Sequence, residues 1–489
     1  MTSRRNELLD AALRMVPSGM PIAGEWRESS SGATSDVEDP ATLETLATIP
    51  DATVDDGVQA LDAAVEAQAA WAATAPRERA ELLRKVFDAI MAAQEPLAAL
   101  MTAEMGKPLE QSMGEVAYAA EFFRWFSEEA ARIEGRWSIS PAGTHHTIVI
   151  PRPVGPSLLI TPWNFPLAMG ARKIAPALAA GCTVVLKPAP QTPLSSLALG
   201  GIIEKVGVPA GVVNIVPTSD AAGVVGRLLE DHRLRKISFT GSTPVGQLLL
   251  RGAAQNVLRT SMELGGNAPF IVCEDADLDA AVDGAMLAKM RNMGEACTAA
   301  NRIYVHDSLA DRFTKAFAER MAAQRVGSGF DPATQVGPLI DRAAVEKVDR
   351  LREDALARGA SLVSEPTAVP EVGHFVAPQV LMDVPLDADM SCEEIFGPVA
   401  AVHRFSTDDE AIAAANDTVH GLVGYVYTRD RARGRRYMLE LETGMMGLNR
   451  GLVSDPAAPF GGIKQSGVGR EGSHEGLMEF VELKYVAEA

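Results

Sequence analysis

A chain of 489 residues is long enough for more than one hydrophobic core. At ~150 residues per domain it holds about three domains, which excludes a single small module. Its 45 lysines and arginines against 64 aspartates and glutamates give a formal charge of −19, with no long run of one sign, so nucleic acid is not an expected partner. Four cysteines without paired spacing offer neither a disulfide framework nor a zinc signature and fit a reducing compartment.

The opening stretch MTSRRNELLDAALRMVPSG carries two arginines, but Glu7, Asp10 and Arg14 interrupt any apolar run, so no secretory signal is expected. No later segment reaches the ~18 uninterrupted apolar residues of a membrane span, and a soluble cytoplasmic protein is the expectation. MPIAGEW and VEDPATLETLATIP have strand and turn character. From Asp56 to Glu134 helical periodicity takes over, with Leu82, Leu83, Val86, Phe87, Ile90 and Met91 on one repeat. From Thr147 strands and helices alternate. SLLIT (157–161), a helix over 167–180 closed by Gly181, TVVLKP (183–188), SSLALGGIIEKVG, GVVNIVP (211–217), another helix and KISFTGS (236–242) predict βαβ units and a parallel sheet covered on both faces. A second α/β series begins at NAPFIVCEDADLDAAV, with Asp277 as the N-cap of a helix. The tail FVELKYV reads as a strand that pairs with something distant.

GVGREG, Gly467 to Gly472, has dinucleotide-fingerprint spacing but lies near the C-terminus after a loop, not between an early strand and its helix, so it is a decoy. FTGSTPVG has the wrong spacing in the right place, between strand and helix, where a pyrophosphate fits the helix N-terminus; an ordinary tight turn is the alternative. In MRNMGEACTAANR, Cys297 is either a nucleophile presented by a turn or a small buried side chain. Cys182, Cys273 and Cys392 stand beside apolar or strand-like runs and read as structural. Glu263 in MELGGN is a candidate base, although most glutamates are solvated. Asn164 in TPWNFP follows a strand end and can donate to an oxyanion or simply serve a turn. Lys187, ending TVVLKP, either contacts ribose hydroxyls or faces solvent.

The ordered set TPWNFP, LKPAPQTP, FTGST, MELGGN, GEACTAANR, EEIFGPV and PFGGIKQSG resembles the aldehyde dehydrogenase superfamily over nearly the whole chain. The resemblance implies an α/β fold with a Rossmann-type cofactor domain over 1–126 and 148–260. It also implies an α/β catalytic domain over 261–466 and an oligomerisation segment over 127–147 and 467–489, in a homodimer or homotetramer. It makes Cys297 the nucleophile, Glu263 the general base and Asn164 an oxyanion donor. Lys187 and Glu394 are to hold the cofactor riboses, with Phe396 near the nicotinamide. Thr161, Pro162, Trp163, Gly223, Gly241, Ser242, Val245 and Leu264 complete the cofactor set. The retained Glu263 favours hydrolysis of the thioester over transfer to coenzyme A.

Within that superfamily, Arg172, Arg291 and Ser454 resemble the positions that grip a distal carboxylate in the succinate-semialdehyde dehydrogenase subfamily, a role suited to guanidinium geometry. Glutarate semialdehyde or an aliphatic aldehyde is the alternative substrate. The chain departs from the commoner pattern at Glu295, where glutamine is frequent, and at Arg450, where glutamate is frequent. Ala299 cannot form the redox disulfide of some relatives. Pro190 replaces a glutamate that repels a 2′-phosphate, so NADP is the expected cofactor, with NAD also usable.

Overall fold

The computed structural model describes residues 2–363 and 367–489. A helix at Thr2–Leu13, not foreseen in the sequence, precedes antiparallel pairs Met20–Ile22 with Glu25–Arg27 and Thr34–Glu38 with Thr45–Pro50. The periodic region resolves into Val54–Ala73, Pro76–Ala92, Gln94–Met105 and Leu109–Glu129. Thr53 opens the first of these with a capping box: its hydroxyl accepts the Asp56 N–H while the Asp56 carboxylate accepts the Thr53 N–H. Pro76 and Pro108 set the next boundaries, as residues that start helices and cannot continue them. Leu83, Val86 and Ile90 bury the predicted apolar face.

The first large sheet is built from β1 (Ser157–Ile160), β2 (Val184–Lys187), β3 (Val213–Ile215), β4 (Lys236–Thr240) and β5 (Arg259–Glu263). Its helices include α1 (Pro166–Ala180), α2 (Ala221–Leu229) and α3 (Thr243–Gln255). These strands are mutually parallel in the order β5-β4-β1-β2-β3. β1, β2 and β4 are buried throughout, which is why their sequences run apolar instead of alternating. Because β1 and β4 are neighbours while the chain runs from β1 through β2 and β3 first, their carboxyl ends flank a topological switch point. Open α/β sheets bind ligands in that crevice. The GVGREG stretch does not form a phosphate loop: Gly467–Val468 pairs antiparallel with the end of β5.

The second sheet contains β6 (Ala268–Val272), β7 (Ala300–His306), β8 (Gln379–Met382), β9 (Val399–Phe405), β10 (Val423–Tyr427) and β11 (Met445–Leu448), parallel in the order β8-β9-β7-β6-β10-β11. Helix α4 (Leu278–Met290) covers it and starts at Asp277, whose carboxylate accepts the Ala280 N–H at 3.1 Å. Helix α5 (Arg342–Ala357) lies between β7 and β8 in the chain. Phe270, Ile303, Val380, Val402 and Tyr425 fill the core around this sheet.

The tail forms Val481–Glu488, antiparallel to His146–Pro153, which also pairs with Arg136–Ile139. The second strand of this hairpin therefore runs well past residue 147. Trp137, Ile139, Leu483 and Tyr485 leave it exposed. Cys182 and Cys273 are buried as expected, but Cys392 is exposed: it ends a one-turn helix, not a strand, so it is not a core residue. Among the described residues no helix is long and apolar enough to cross a membrane.

Candidate active site

The two sheets meet where the chain leaves β5 at Glu263 and enters β6 at Ala268. A cavity of 380 Å³ at this junction is lined from the first sheet by Pro162, Trp163 and Asn164 after β1, Gly241 and Ser242 after β4, and Glu263 and Leu264 after β5. The second half contributes Arg291, Cys297, Glu394, Phe396 and Ser454, and α1 contributes Arg172. Thr161, Lys187, Pro190, Gly223 and Val245 lie outside the cavity. They follow β1, β2 and the starts of α2 and α3, along the same carboxyl edge of the first sheet.

Cys297 is half-buried, on a turn between α4 and β7 that the sequence builds with consecutive left-handed residues Asn292, Met293 and Gly294. Gly294 is required there: a Cβ would lie 2.3 Å from the Gly397 carbonyl. Gly266 is required for the other side, since its Cβ would sit 2.7 Å from the Cys297 carbonyl. Asn164 is buried and its amide donates to the Glu295 carbonyl at 3.0 Å, while its own backbone carbonyl accepts from Lys107 at 2.8 Å and from the Asn292 amide at 3.0 Å. One side-chain N–H of Asn164 therefore stays uncommitted beside the nucleophile turn.

Burial pushes the Cys297 thiol up to about 12; Arg172 and Arg291 pull the other way, and Glu394 and Glu263 add to the rise. Glu263, buried at the end of β5, is also pushed well above the ordinary carboxylate range, first by burial and then by the like charge of Glu471. Glu471 is held ionised by Arg172 and by Lys173, whose ammonium donates to it at 2.5 Å. Two carboxylates near one another thus divide their roles: Glu471 carries the charge and Glu263 holds the proton at rest.

Arg172 differs from the expectation in one respect, because the ion pair with Glu471 already compensates its charge and its guanidinium stacks 4.4 Å from the Phe460 ring. Its Nη2 is buried, and the Arg172 side chain lines the same cavity as Cys297 beside Tyr118. Arg291 lies 4.9 Å from the Phe165 ring and donates to the Ser454 hydroxyl at 3.3 Å. These three side chains do come together, at the end of the cavity that Tyr118 and Phe460 also line.

The cofactor edge fits a dinucleotide. Gly241 and Ser242 lead into α3, a helix of 13 residues with Pro244 in its first turn, and the Thr240 hydroxyl is buried without a partner. Lys187 is buried at the end of β2, and desolvation lowers it to about 8. Burial raises Glu394 to about 7 against the pull of Lys347. Phe396, held at φ 56, meets Trp163 edge to face at 5.4 Å between ring centroids. Val245 is 45% exposed on α3 and Pro190 is exposed after β2.

Residues 26–486 match the model of the aldehyde dehydrogenase family. The chain belongs to that family. It is 56% identical over 441 residues to a succinate-semialdehyde dehydrogenase of Paenarthrobacter nicotinovorans, covering 90% of this chain and 98% of the relative. It is 48% identical over 466 residues to the NADP(+) succinate-semialdehyde dehydrogenase GabD of Escherichia coli strain K12, covering 95% and 96%. A crystal structure of succinate-semialdehyde dehydrogenase from Burkholderia pseudomallei superposes with a TM-score of 0.95 at 45% identity, over 97% of this chain and 98% of that one.

Sequence reasoning missed Tyr118, Lys173, Lys347 and Glu471 in this aldehyde dehydrogenase. Tyr118 and Lys173 sit in helices and read as ordinary amphipathic positions. Glu471 lies inside GVGREG, where the glycine pattern drew attention away from the one carboxylate. Lys173 next to Arg172 in a helix otherwise apolar was the available signal, since two adjacent buried cations need a buried anion.

Proposed function

We propose that this aldehyde dehydrogenase oxidises succinate semialdehyde to succinate with NADP, and that NAD also serves. The observation that carries the reading is the placement of Arg172, Arg291 and Ser454 in the lining of the cavity that holds Cys297. An acidic protein of charge −19 binds a small anion through such local donors, and a carboxylate on two guanidinium groups and a hydroxyl leaves the aldehyde free to face the sulfur. The names of the relatives support the same substrate and the same cofactor.

In the reaction, ionised Glu263 takes the Cys297 proton, directly or through water, and the sulfur forms a bond to the aldehyde carbon. The oxyanion accepts from the Asn164 amide and the Cys297 backbone N–H, where one such donor is worth about 3 kcal/mol. When bound, nicotinamide would supply the two-electron hydride acceptor that oxidation of the tetrahedral carbon requires. Glu263 then releases the thiol proton to solvent, and the thioester on Cys297 is attacked by water as the re-ionised Glu263 takes the water proton; the carbon–sulfur bond breaks, Cys297 leaves as the thiolate and the acid is released. Lys187 and Glu394 would hold the ribose hydroxyls, and Thr161, Pro162, Trp163, Gly223, Gly241, Ser242, Val245, Leu264 and Phe396 would line the path of the dinucleotide. Pro190 sets no carboxylate against a 2′-phosphate.

Residues 1–126 and 148–260 are read as the cofactor domain, 261–466 as the catalytic domain, and 127–147 with 467–489 as the oligomerisation segment, whose hairpin strand carries on to Pro153. Exposed Trp137, Ile139, Leu483 and Tyr485 on that segment support a homodimer or homotetramer, and the protein is assigned to the cytoplasm. The test is a panel of purified protein against succinate semialdehyde, glutarate semialdehyde and butyraldehyde with each cofactor. Succinate semialdehyde with NADP is expected to give the highest kcat/KM; preference for butyraldehyde overturns the substrate.

A further inference from the structure

Glu295 lies two residues before Cys297, closing the left-handed turn that presents the sulfur. Its N–H donates to the Asn292 carbonyl at 2.8 Å, and its carbonyl accepts from the amides of Asn164 and Asn292 at 3.0 and 2.9 Å. The side chain is fully buried and reaches out of this turn: Oε1 accepts the Ile340 backbone N–H at 3.1 Å. Ile340 and Asp341 line the cavity that contains Cys297, and Asp341 caps α5. One carboxyl group therefore spans from the nucleophile turn to the opposite wall.

The second oxygen, Oε2, is buried with no hydrogen-bond partner. The charged groups that face Glu295 are Lys107 and Asp341. Lys107 is already committed to Glu115 at 2.5 Å and to the Asn164 carbonyl at 2.8 Å, and Asp341 to the Ala344 N–H at 2.8 Å. An ionised carboxylate at this place has no donor for half of its charge, whereas a neutral carboxyl accepts the Ile340 N–H and leaves one O–H unpaired, which costs less than a buried charge.

We propose that Glu295 is a positioning residue: its neutral carboxyl ties the turn presenting Cys297 to the Ile340–Asp341 wall, fixing the separation across which the substrate carbonyl meets the sulfur. The proposal rests on the reading of Cys297 as nucleophile, but two of its readouts need neither substrate nor turnover. Burial raises the Glu295 carboxyl well above the ordinary range, so the folded chain binds this proton more tightly than the unfolded chain. That contribution to stability is present at low pH and is lost as pH rises.

Glu295→Gln keeps the acceptor for the Ile340 N–H and cannot ionise, so it is expected to keep kcat and the rate of Cys297 alkylation by iodoacetamide. Its Tm should match wild type below about pH 4, where the unfolded carboxyl is protonated too, and exceed it by a margin that widens towards about pH 8. Glu295→Leu removes the tie and is expected to lower kcat on the order of ten- to a hundredfold with KM little changed, and to alter the alkylation rate. A Glu295→Gln enzyme that loses turnover overturns the proposal, because it assigns the carboxyl to proton transfer; a Tm gap independent of pH overturns the neutral state. A Glu295→Leu enzyme identical to wild type in kcat and alkylation shows that no tie exists. Should Glu295→Leu fail to fold, the Glu295→Gln measurements decide. Failure of the succinate semialdehyde reading leaves the alkylation and Tm results intact, so the two failures are distinguishable.

Discussion

Arg291 donates from Nη1 to the Ser454 hydroxyl at 3.3 Å, joining the nucleophile turn to the loop after β11 across the closed end of the cavity. The pair presents a cation and a hydroxyl to whatever lies between them and Cys297. Losing the guanidinium should cost about 1.5–3 kcal/mol for a carboxylated substrate, roughly ten- to a hundredfold in kcat/KM. Arg291→Ala is therefore expected to impair succinate semialdehyde oxidation while leaving butyraldehyde oxidation close to wild type. Equal losses on both substrates would place Arg291 in the support of the turn instead.

Burial and the like charge of Glu471 favour the protonated form of Glu263, and in the proposed mechanism only its ionised form removes protons from Cys297 and from water. Because burial raises both Glu263 and Cys297, kcat is expected to climb as pH rises through the neutral range into the alkaline one. Glu263→Gln should slow thioester hydrolysis, so rapid-quench traces should show accumulated acyl-enzyme with a burst of reduced cofactor. Wild-type steady state without a burst removes Glu263 from the role of base.

Glu471 contributes a like charge that raises Glu263. Glu471→Gln removes that charge and leaves Arg172 and Lys173 to act on Glu263 alone, so the rising limb of the pH–rate profile should move to lower pH. The same change leaves two buried cations without their anion and should destabilise the fold by about 3–5 kcal/mol, read as a lowered urea midpoint. An unmoved pH limb contradicts the coupling.

Pro190 stands exposed after β2, where a carboxylate would oppose a 2′-phosphate. Pro190→Glu is expected to shift the ratio of kcat/KM values from NADP towards NAD in steady-state assays. An unchanged ratio assigns cofactor choice to another side chain.

The alternation of strands and helices was legible because buried parallel strands write themselves as apolar runs, as SLLI and VVLK do, and because Asp277 and Gly181 mark helix ends. Cys297, Glu263 and Asn164 were singled out as a set through the ordered motifs that carry the family resemblance, each motif alone being open to an ordinary structural reading, and the fold brings all three to one cavity. The Glu471 pairing of Arg172 was not, because 299 residues separate the partners in the chain, and the edge strand at Gly467–Val468 and the bridge between Phe460 and Glu471 bring them together. The helix at Thr2–Leu13 escaped for a different reason: its charged residues interrupt the apolar repeat that signals a packed face. The exposure of Cys392 escaped too, because a helix of four residues leaves no period to read.

Covalent catalysis through Cys297 is the claim on which every other role depends. The most direct measurement is the steady-state rate of NADP reduction by Cys297→Ala with saturating succinate semialdehyde, beside the affinity of the same variant for NADP. Turnover is expected to vanish while cofactor affinity stays within about twofold of wild type, since the sulfur enters only the covalent step. Turnover comparable to wild type would contradict the account.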